Sequence, residues 1–263
     1  MKILLTNDDG IYADGLWALY ERFSLENEVT VIAPDRERSA VGHAITLHVP
    51  LRAARIQMNG KGPFFAVSGT PADCIKLGVL ELLDEKPDMV VSGINPGANV
   101  GVNINYSGTV AAAKEAALYG MKAIAVSIQG PCCRDYGEAA EFAAMLAKRV
   151  ALQGLPRGTF LNVNLPNKPM KSLAGVRVCR QGTEFLDEYI KKRFDPRNRE
   201  YYWHGYDPEP AFEHPDIDGQ ALFENYISIT PIKCDMTDYG VLEELKNWDF
   251  ENISGNAKNS GNP

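Results

Sequence analysis

The chain is poor in the residues that staple, anchor or specialise a protein. Its five cysteines, Cys74, Cys132, Cys133, Cys179 and Cys234, are odd in number and form no CxxC pair. Neither a disulfide framework nor a structural zinc site fits that pattern. No apolar run approaches the ~20 residues of a membrane span. The N-terminus turns acidic at Asp8 and Asp9 after a short apolar run, unlike a secretory signal. The expected compartment is the cytoplasm, with no membrane partner. Positive charge is also short: 27 Lys and Arg face 34 Asp and Glu, a net charge of −7. That balance repels a phosphate backbone, so nucleic acid is not an expected partner. The one basic cluster, Lys191, Lys192, Arg193, Arg197 and Arg199, followed by Tyr201, Tyr202 and Trp203, reads as a solvated arm. GxSxG, HExxH, the EF-hand loop and GxxxxGK[ST] are all missing, which removes the hydrolase elbow, the zincin helix and the Walker phosphate loop.

What remains is an ordinary globular composition, 45% apolar and 23% charged, in a chain of 263 residues. A chain of that length buries roughly three-quarters of its unfolded surface without staples. Short apolar runs alternate with helical spacing. Strands are expected over 2–6, 28–33, 64–67, 89–91, 123–128 and 160–163, and helices over 14–23, 70–83, 107–119 and 138–153. Residues 44–56 read as extended. Thr70, Pro71 and Asp73 supply an N-cap, a first-turn proline and an acid at N3. The alternation predicts parallel strands with helices on both faces, a doubly wound α/β sheet. Residues 180–220 read as a long irregular arm rich in Pro, Gly and aromatics, too apolar to leave in water and therefore an intersubunit contact. A strand over 226–232, a helix over 237–248 and a frayed Asn/Gly/Ser tail over 252–263 complete the chain.

Ligands of an open α/β sheet bind beyond the carboxyl ends of its strands. The loops expected there carry Asn7-Asp8-Asp9-Gly10, then Asp35 to Ser39, Ser68-Gly69-Thr70 and Ser92-Gly93-Ile94-Asn95. Asp-Asp-Gly can be an ordinary solvated turn. Two adjacent acids at the end of a buried strand otherwise require a counter-ion. With the Ser39 hydroxyl and the Asn95 carbonyl on the same edge, an all-oxygen shell for one Mg²⁺, Mn²⁺ or Ca²⁺ ion forms from Asp8, Asp9, Ser39 and Asn95. The glycine-rich segment 92–109 (SGINPGANVGVNINYSGT) leads into an Ala-rich helix opened by Ser107-Gly108-Thr109. Its free N–H groups attract phosphate, although Ser107 also reads simply as a cap. His43 is a weaker candidate for donation to a phosphoryl oxygen. A nucleotide- or FMN-binding regulatory module would share the helix-start anion site without needing the acid pair.

Six blocks carry a resemblance: 2–15 (KILLTNDDGIYADG), 33–42 (APDRERSAVG), 67–73 (VSGTPAD), 90–101 (VVSGINPGANVG), 106–113 (YSGTVAAA) and 226–231 (YISITP). Together they resemble the SurE family, the survival protein E metal-dependent nucleotide phosphatases. The resemblance implies a Rossmann-like three-layer α/β/α core over 1–180, an extended oligomerisation arm over 181–222, a strand and helix completing the fold over 223–250 and a flexible tail over 251–263. It implies hydrolysis of nucleoside 5′- and 3′-monophosphates and of short polyphosphate, in a homodimer or homotetramer with one divalent cation per subunit. The ion falls on Asp8, Asp9, Ser39 and Asn95, and the phosphate on Asn99, Ser107, Gly108 and Thr109. A metal-activated water is the expected nucleophile, with Asp8 or Asp9 accepting its proton.

Overall fold

A computed structural model describes residues 1–58, 60–130, 135–183, 188–206, 214–248 and 250. Cys132, Cys133, Phe185, Phe212 and the tail over 252–263 lie outside the described residues. In chain order the elements are β1 (Lys2–Thr6), α1 (Asp14–Phe23), β2 (Glu28–Pro34), β3 (Ala53–Met58), β4 (Lys61–Val67), α2 (Pro71–Leu77), β5 (Met89–Pro96), α3 (Gly108–Leu118), β6 (Lys122–Ile128), α4 (Gly137–Gln153), β7 (Thr159–Leu165), β8 (Gly175–Val178), β9 (Glu188–Phe194), β10 (Glu200–Tyr206), α5 (Asp218–Phe223), β11 (Tyr226–Lys233) and α6 (Tyr239–Leu245). One sheet carries the order β3-β4-β2-β1-β5-β6-β7-β11-β8, and β9 and β10 pair separately.

The expected three-layer α/β/α architecture is present, and the strand sequences explain its layers. Successive side chains of a strand face opposite sides. In β1, Ile3 and Leu5 enter the core beneath α1 and α4, whereas Leu4 enters the core beneath α2 and α3. In β6, Ile124 and Val126 face the first core while Ala123 and Ala125 face the second. Small side chains on that face let Ala112, Ala113, Ala116 and Ala117 of α3 pack directly on the sheet. The N-terminus of α3 thereby lies at the strands' carboxyl edge, beside Asp8.

The sheet is not wholly parallel, contrary to expectation. β4 runs antiparallel to β3, and β11 antiparallel to β7. Only residues 59 and 60 separate β3 from β4, too few for a parallel crossover. Residues 44–52 form no strand. Hydrogen bonds hold them instead: the Thr46 amide and hydroxyl donate to Asp73, and the Thr70 hydroxyl donates to the Ala44 carbonyl. The α2 cap is as expected, with a reciprocal Thr70–Asp73 capping box. Beyond α2 the chain continues through one wide π-helical turn, Gly78–Leu82. The short strand β8 was not expected.

The segment read as irregular contains a β-hairpin. Tyr189, Ile190 and Phe194 in β9 and Tyr201, Tyr202 and Trp203 in β10 favour strand, although Lys191, Lys192 and Arg193 do not, and Asp195 organises the turn between them. Its Oδ1 accepts from the amides of Arg197 and Arg199 at 2.8 and 2.9 Å, and Asn198 takes the left-handed conformation (φ 61°). The ribbon leaves Trp203 63% and Tyr202 57% exposed. Among the described residues no helix is long and apolar enough to cross a membrane.

Candidate active site

The chain runs outward from β1 to β2 and β4 on one side, then crosses to β5 and β6 on the other. The switch lies between β1 and β5, where an open α/β sheet forms its binding crevice. The turn after β1 is fastened at this point. Asn7 Oδ1 accepts from the Gly10 amide at 3.2 Å, and Asn7 Nδ2 donates to the Gly10 carbonyl at 3.0 Å. The Arg38 amide donates to the Asp8 carbonyl at 2.7 Å, drawing in the loop that bears Ser39. Gly10 has φ 101°, and a Cβ there would lie 3.0 Å from the Arg36 backbone. A cavity of about 470 Å³ opens at this edge, lined by Asp8, Asp9, Glu37, Ser39, Asn95, Asn99 and Ser107. Six of the eight residues singled out in the sequence thus share one cavity.

Asp8 is 4% exposed, and burial pushes its carboxyl pKa up. The Thr109 hydroxyl donates to its Oδ1 and works against that rise, as do the amides of Gly108 and Thr109. Gly108 is required for this approach, since a Cβ there would stand 2.7 Å from Asp8 Cβ and 2.9 Å from its Oδ2. Gly108 and Thr109 therefore seat Asp8, and the hydroxyl of Thr109 is engaged with that residue. Asp9 is more strained electrostatically. Burial, then the charges of Asp8 and Glu37, raise its pKa to about 7. Its Oδ2 is buried without a hydrogen-bond partner.

That orphaned oxygen tests whether a cation fits. Among the described residues no group of three or more His, Cys, Asp and Glu side chains is arranged to hold a metal, so a cation here must also use neutral oxygens. Asn95 offers one: its Nδ2 donates to the Gly97 carbonyl at 2.7 Å, which leaves Oδ1 as an open acceptor. Ser39 Oγ donates to Glu37 Oε1 at 2.6 Å and keeps its lone pairs. Two carboxylates with a hydroxyl and an amide oxygen are a hard donor set, suited to Mg²⁺, Mn²⁺ or Ca²⁺.

Ser107 caps α3 by accepting from the Val110 amide at 3.1 Å. Asn99 is held from several sides. Its Nδ2 donates to Ser127 Oγ at 2.8 Å, its amide to Asn164 Oδ1 at 2.7 Å, and its carbonyl accepts from Asn162 and Asn164. Asp218, fully buried, accepts from the amides of Gly101 at 3.0 Å and Gly182 at 3.1 Å, fastening the far end of the glycine-rich segment. His43 falls outside the acidic cavity. Its Nε2 lies 2.6 Å from Glu115 Oε2, so it braces α3 instead. Burial opposes ionisation of Glu115, but His43 and Lys76 outweigh it and lower the pKa. Sequence reasoning missed Glu37, Asn162, Asn164 and Asp218. The two asparagines had left a trace, because polar residues alternating in a buried strand (FLNVNL) need partners.

A profile described as Survival protein SurE matches residues 3–188. The chain belongs to the SurE family. Among similar SurE chains, one from Desulfatibacillum aliphaticivorans named 5′-nucleotidase SurE is 60% identical over 252 residues, covering 95% of this chain and 99% of the relative. Another of that name, from Natranaerobius thermophilus, is 46% identical over 258 residues, 95% of this chain and 100% of the relative. The crystal structure of the SurE protein from Aquifex aeolicus superposes with a TM-score of 0.84 at 38% identity, covering 94% of this chain and 98% of that one.

Proposed function

We propose that this SurE chain is a metal-dependent phosphomonoesterase that releases phosphate from nucleoside 5′-monophosphates. The observation that carries the reading is the partnerless, buried Asp9 Oδ2 between the charges of Asp8 and Glu37. The relatives' name, 5′-nucleotidase SurE, supports the substrate class. Asp8, Asp9, Ser39 and Asn95 would hold one Mg²⁺, Mn²⁺ or Ca²⁺ ion. Such an ion, when bound, supplies positive charge against phosphoryl oxygens and acidifies water. The residues do the rest. The Ser107 hydroxyl, whose oxygen accepts from the Val110 amide and whose proton is free to donate, faces the non-bridging oxygens at the positive end of the α3 dipole, while the amides of Gly108 and Thr109 stay with Asp8. Asn99, immobilised by Ser127, Asn162 and Asn164, keeps the cavity wall rigid beside them. Asp8 is occupied by Thr109, which leaves Asp9 as the carboxylate that takes the attacking water's proton.

Within the arm expected over 181–222, the hairpin β9–β10 serves as the contact between copies, in a dimer or tetramer, because it exposes Tyr189, Tyr202 and Trp203, whereas Ile217, Asp218 and Leu222 are buried in the main fold. The cysteines described, Cys74, Cys179 and Cys234, are free, which suits a reducing cytoplasm. The decisive assay is phosphate release from AMP with Mn²⁺, repeated with a 3′-nucleotide and short polyphosphate. Release abolished by EDTA and by Asp8→Asn is the expected result. A folded Asp8→Asn protein with wild-type turnover overturns the assignment.

A further inference from the structure

Three carboxylates line the acidic cavity, Asp8, Asp9 and Glu37, and only the first two belong to the expected ion shell. Glu37 stands between Arg36 and Arg38 in the chain, yet neither pairs with it. Both arginines turn to Asp35, at 4.0 and 3.9 Å, and Arg38 Nη2 also donates to the Ser68 carbonyl at 2.8 Å. Among the described residues no cation pairs with Glu37, and no lysine, arginine or histidine lines the cavity. A free surface carboxylate between two arginines would take one of them as a partner. The loop prevents it, because it is pinned on both sides of Glu37 and Ser39. The Arg38 amide is held by the Asp8 carbonyl, the Gly42 amide donates to the Tyr106 carbonyl at 2.9 Å, and Ala40 takes the left-handed conformation (φ 54°).

The partner Glu37 does have is a residue of the ion shell. Ser39 Oγ donates to Glu37 Oε1 at 2.6 Å. A serine hydroxyl carries one proton and two lone pairs. With the proton committed to Glu37, both lone pairs stay available to a cation, whereas a proton turned into the cavity would meet the ion head-on. From this geometry we infer that Glu37 is a positioning residue of the ion site. It fixes the Ser39 hydroxyl with its oxygen toward the cation, and its uncompensated charge tightens the ion's binding from outside the shell. The inference rests on the metal-dependent reading of the site and adds to it the residue that orients one of its ligands.

Calorimetric titration of Mn²⁺ into the full chain tests this, on the wild type, Glu37→Gln, Glu37→Ala, Ser39→Ala and the double variant Ser39→Ala/Glu37→Ala. An unfolding curve in EDTA accompanies each, and native unfolding is expected because Glu37 and Ser39 are exposed. Outer partners of metal ligands are worth roughly 10–100-fold in affinity, so Glu37→Ala should raise the Kd for Mn²⁺ at least about tenfold. Glu37→Gln keeps an acceptor for the Ser39 proton and loses only the charge, so its rise should be smaller, about threefold. In the Ser39→Ala background, Glu37→Ala should cost only about that threefold, since no hydroxyl is left to orient. An equal cost in both backgrounds, or an affinity that Glu37→Ala leaves unmoved, overturns the inference. The KM for p-nitrophenyl phosphate at saturating Mn²⁺ should not rise in Glu37→Gln, because a negative charge has left a site that receives an anion. A KM that climbs together with the Kd marks general damage to the loop and also overturns the inference. If the wild type binds Mn²⁺ but releases no phosphate, the titrations still decide the role of Glu37 and only the phosphatase reading fails. A wild type that binds no Mn²⁺ overturns both.

Discussion

Asp9→Asn should make the metal-free protein more stable while it removes activity. The carboxylate is raised from 3.8 to about 7 by burial first and by Asp8 and Glu37 second. One pKa unit is ~1.4 kcal/mol, so a rise of that size costs the ionised fold at most about 4 kcal/mol. The group keeps partial contact with water, and screening reduces the recoverable part to about 2 kcal/mol. Asparagine has nearly the same volume and no charge, so it recovers that amount. For a raised carboxylate the folded state binds more protons than the unfolded state between pH 3.8 and 7. Wild-type stability therefore falls as pH rises through that window and levels above it. The gain from Asp9→Asn should be near zero at pH 4 and complete at pH 8. Thermal unfolding in EDTA at both values provides the check. About 2 kcal/mol corresponds to roughly 4–8 °C in a chain of this size. With excess Mn²⁺ the order should reverse, because only the wild type gains from binding. A variant no more stable than wild type at pH 8 in EDTA, or a gain equal at both pH values, would refute the electrostatic account of this corner.

Three further outcomes are expected. Gly108→Ala gains about 1 kcal/mol of helix propensity but loses more to the clash with Asp8, about 1–3 kcal/mol. Its kcat should fall at least tenfold while far-ultraviolet circular dichroism stays native. Thr109→Val removes the hydroxyl that holds Asp8 in its ionised form, so the acid limb of the pH–rate profile should move to higher pH at saturating Mn²⁺. An unmoved limb would mean that Asp8 does not need that donor. Replacing Tyr201 and Trp203 by serine should weaken self-association at least tenfold in sedimentation, with the main sheet intact.

The sheet and the acid pair were legible because both depend on local pattern. Lys2–Thr6 is a short apolar run, and two acids at its end demand compensation wherever the chain goes next. The antiparallel partners of β4 and β7 were not legible, since strand direction follows from connection length and from distant docking. The hairpin was hidden by composition: charged and aromatic residues stand there in runs, Lys191-Lys192-Arg193 and Tyr201-Tyr202-Trp203, with no apolar–polar alternation to mark a strand, and Asp195 organises a turn that has no Asn-Gly signature. Glu37 looked like one more loop charge. Its bearing on Asp9 depends on the Arg38 amide drawing that loop onto the Asp8 carbonyl, a contact between separate strand ends. Thr109 and Gly108 sat in the right motif, but only the packing of α3 revealed that they seat an aspartate.

Asp218 has a practical consequence for anyone who trims the chain. One carboxylate fastens both Gly101, at the far end of the glycine-rich segment, and Gly182, at the stem of the hairpin. A deletion meant to yield a soluble monomer has to begin beyond Gly182. A cut made earlier would leave a buried anion missing one of its struts, and the damage would surface as lost turnover in a protein shortened only to change its stoichiometry.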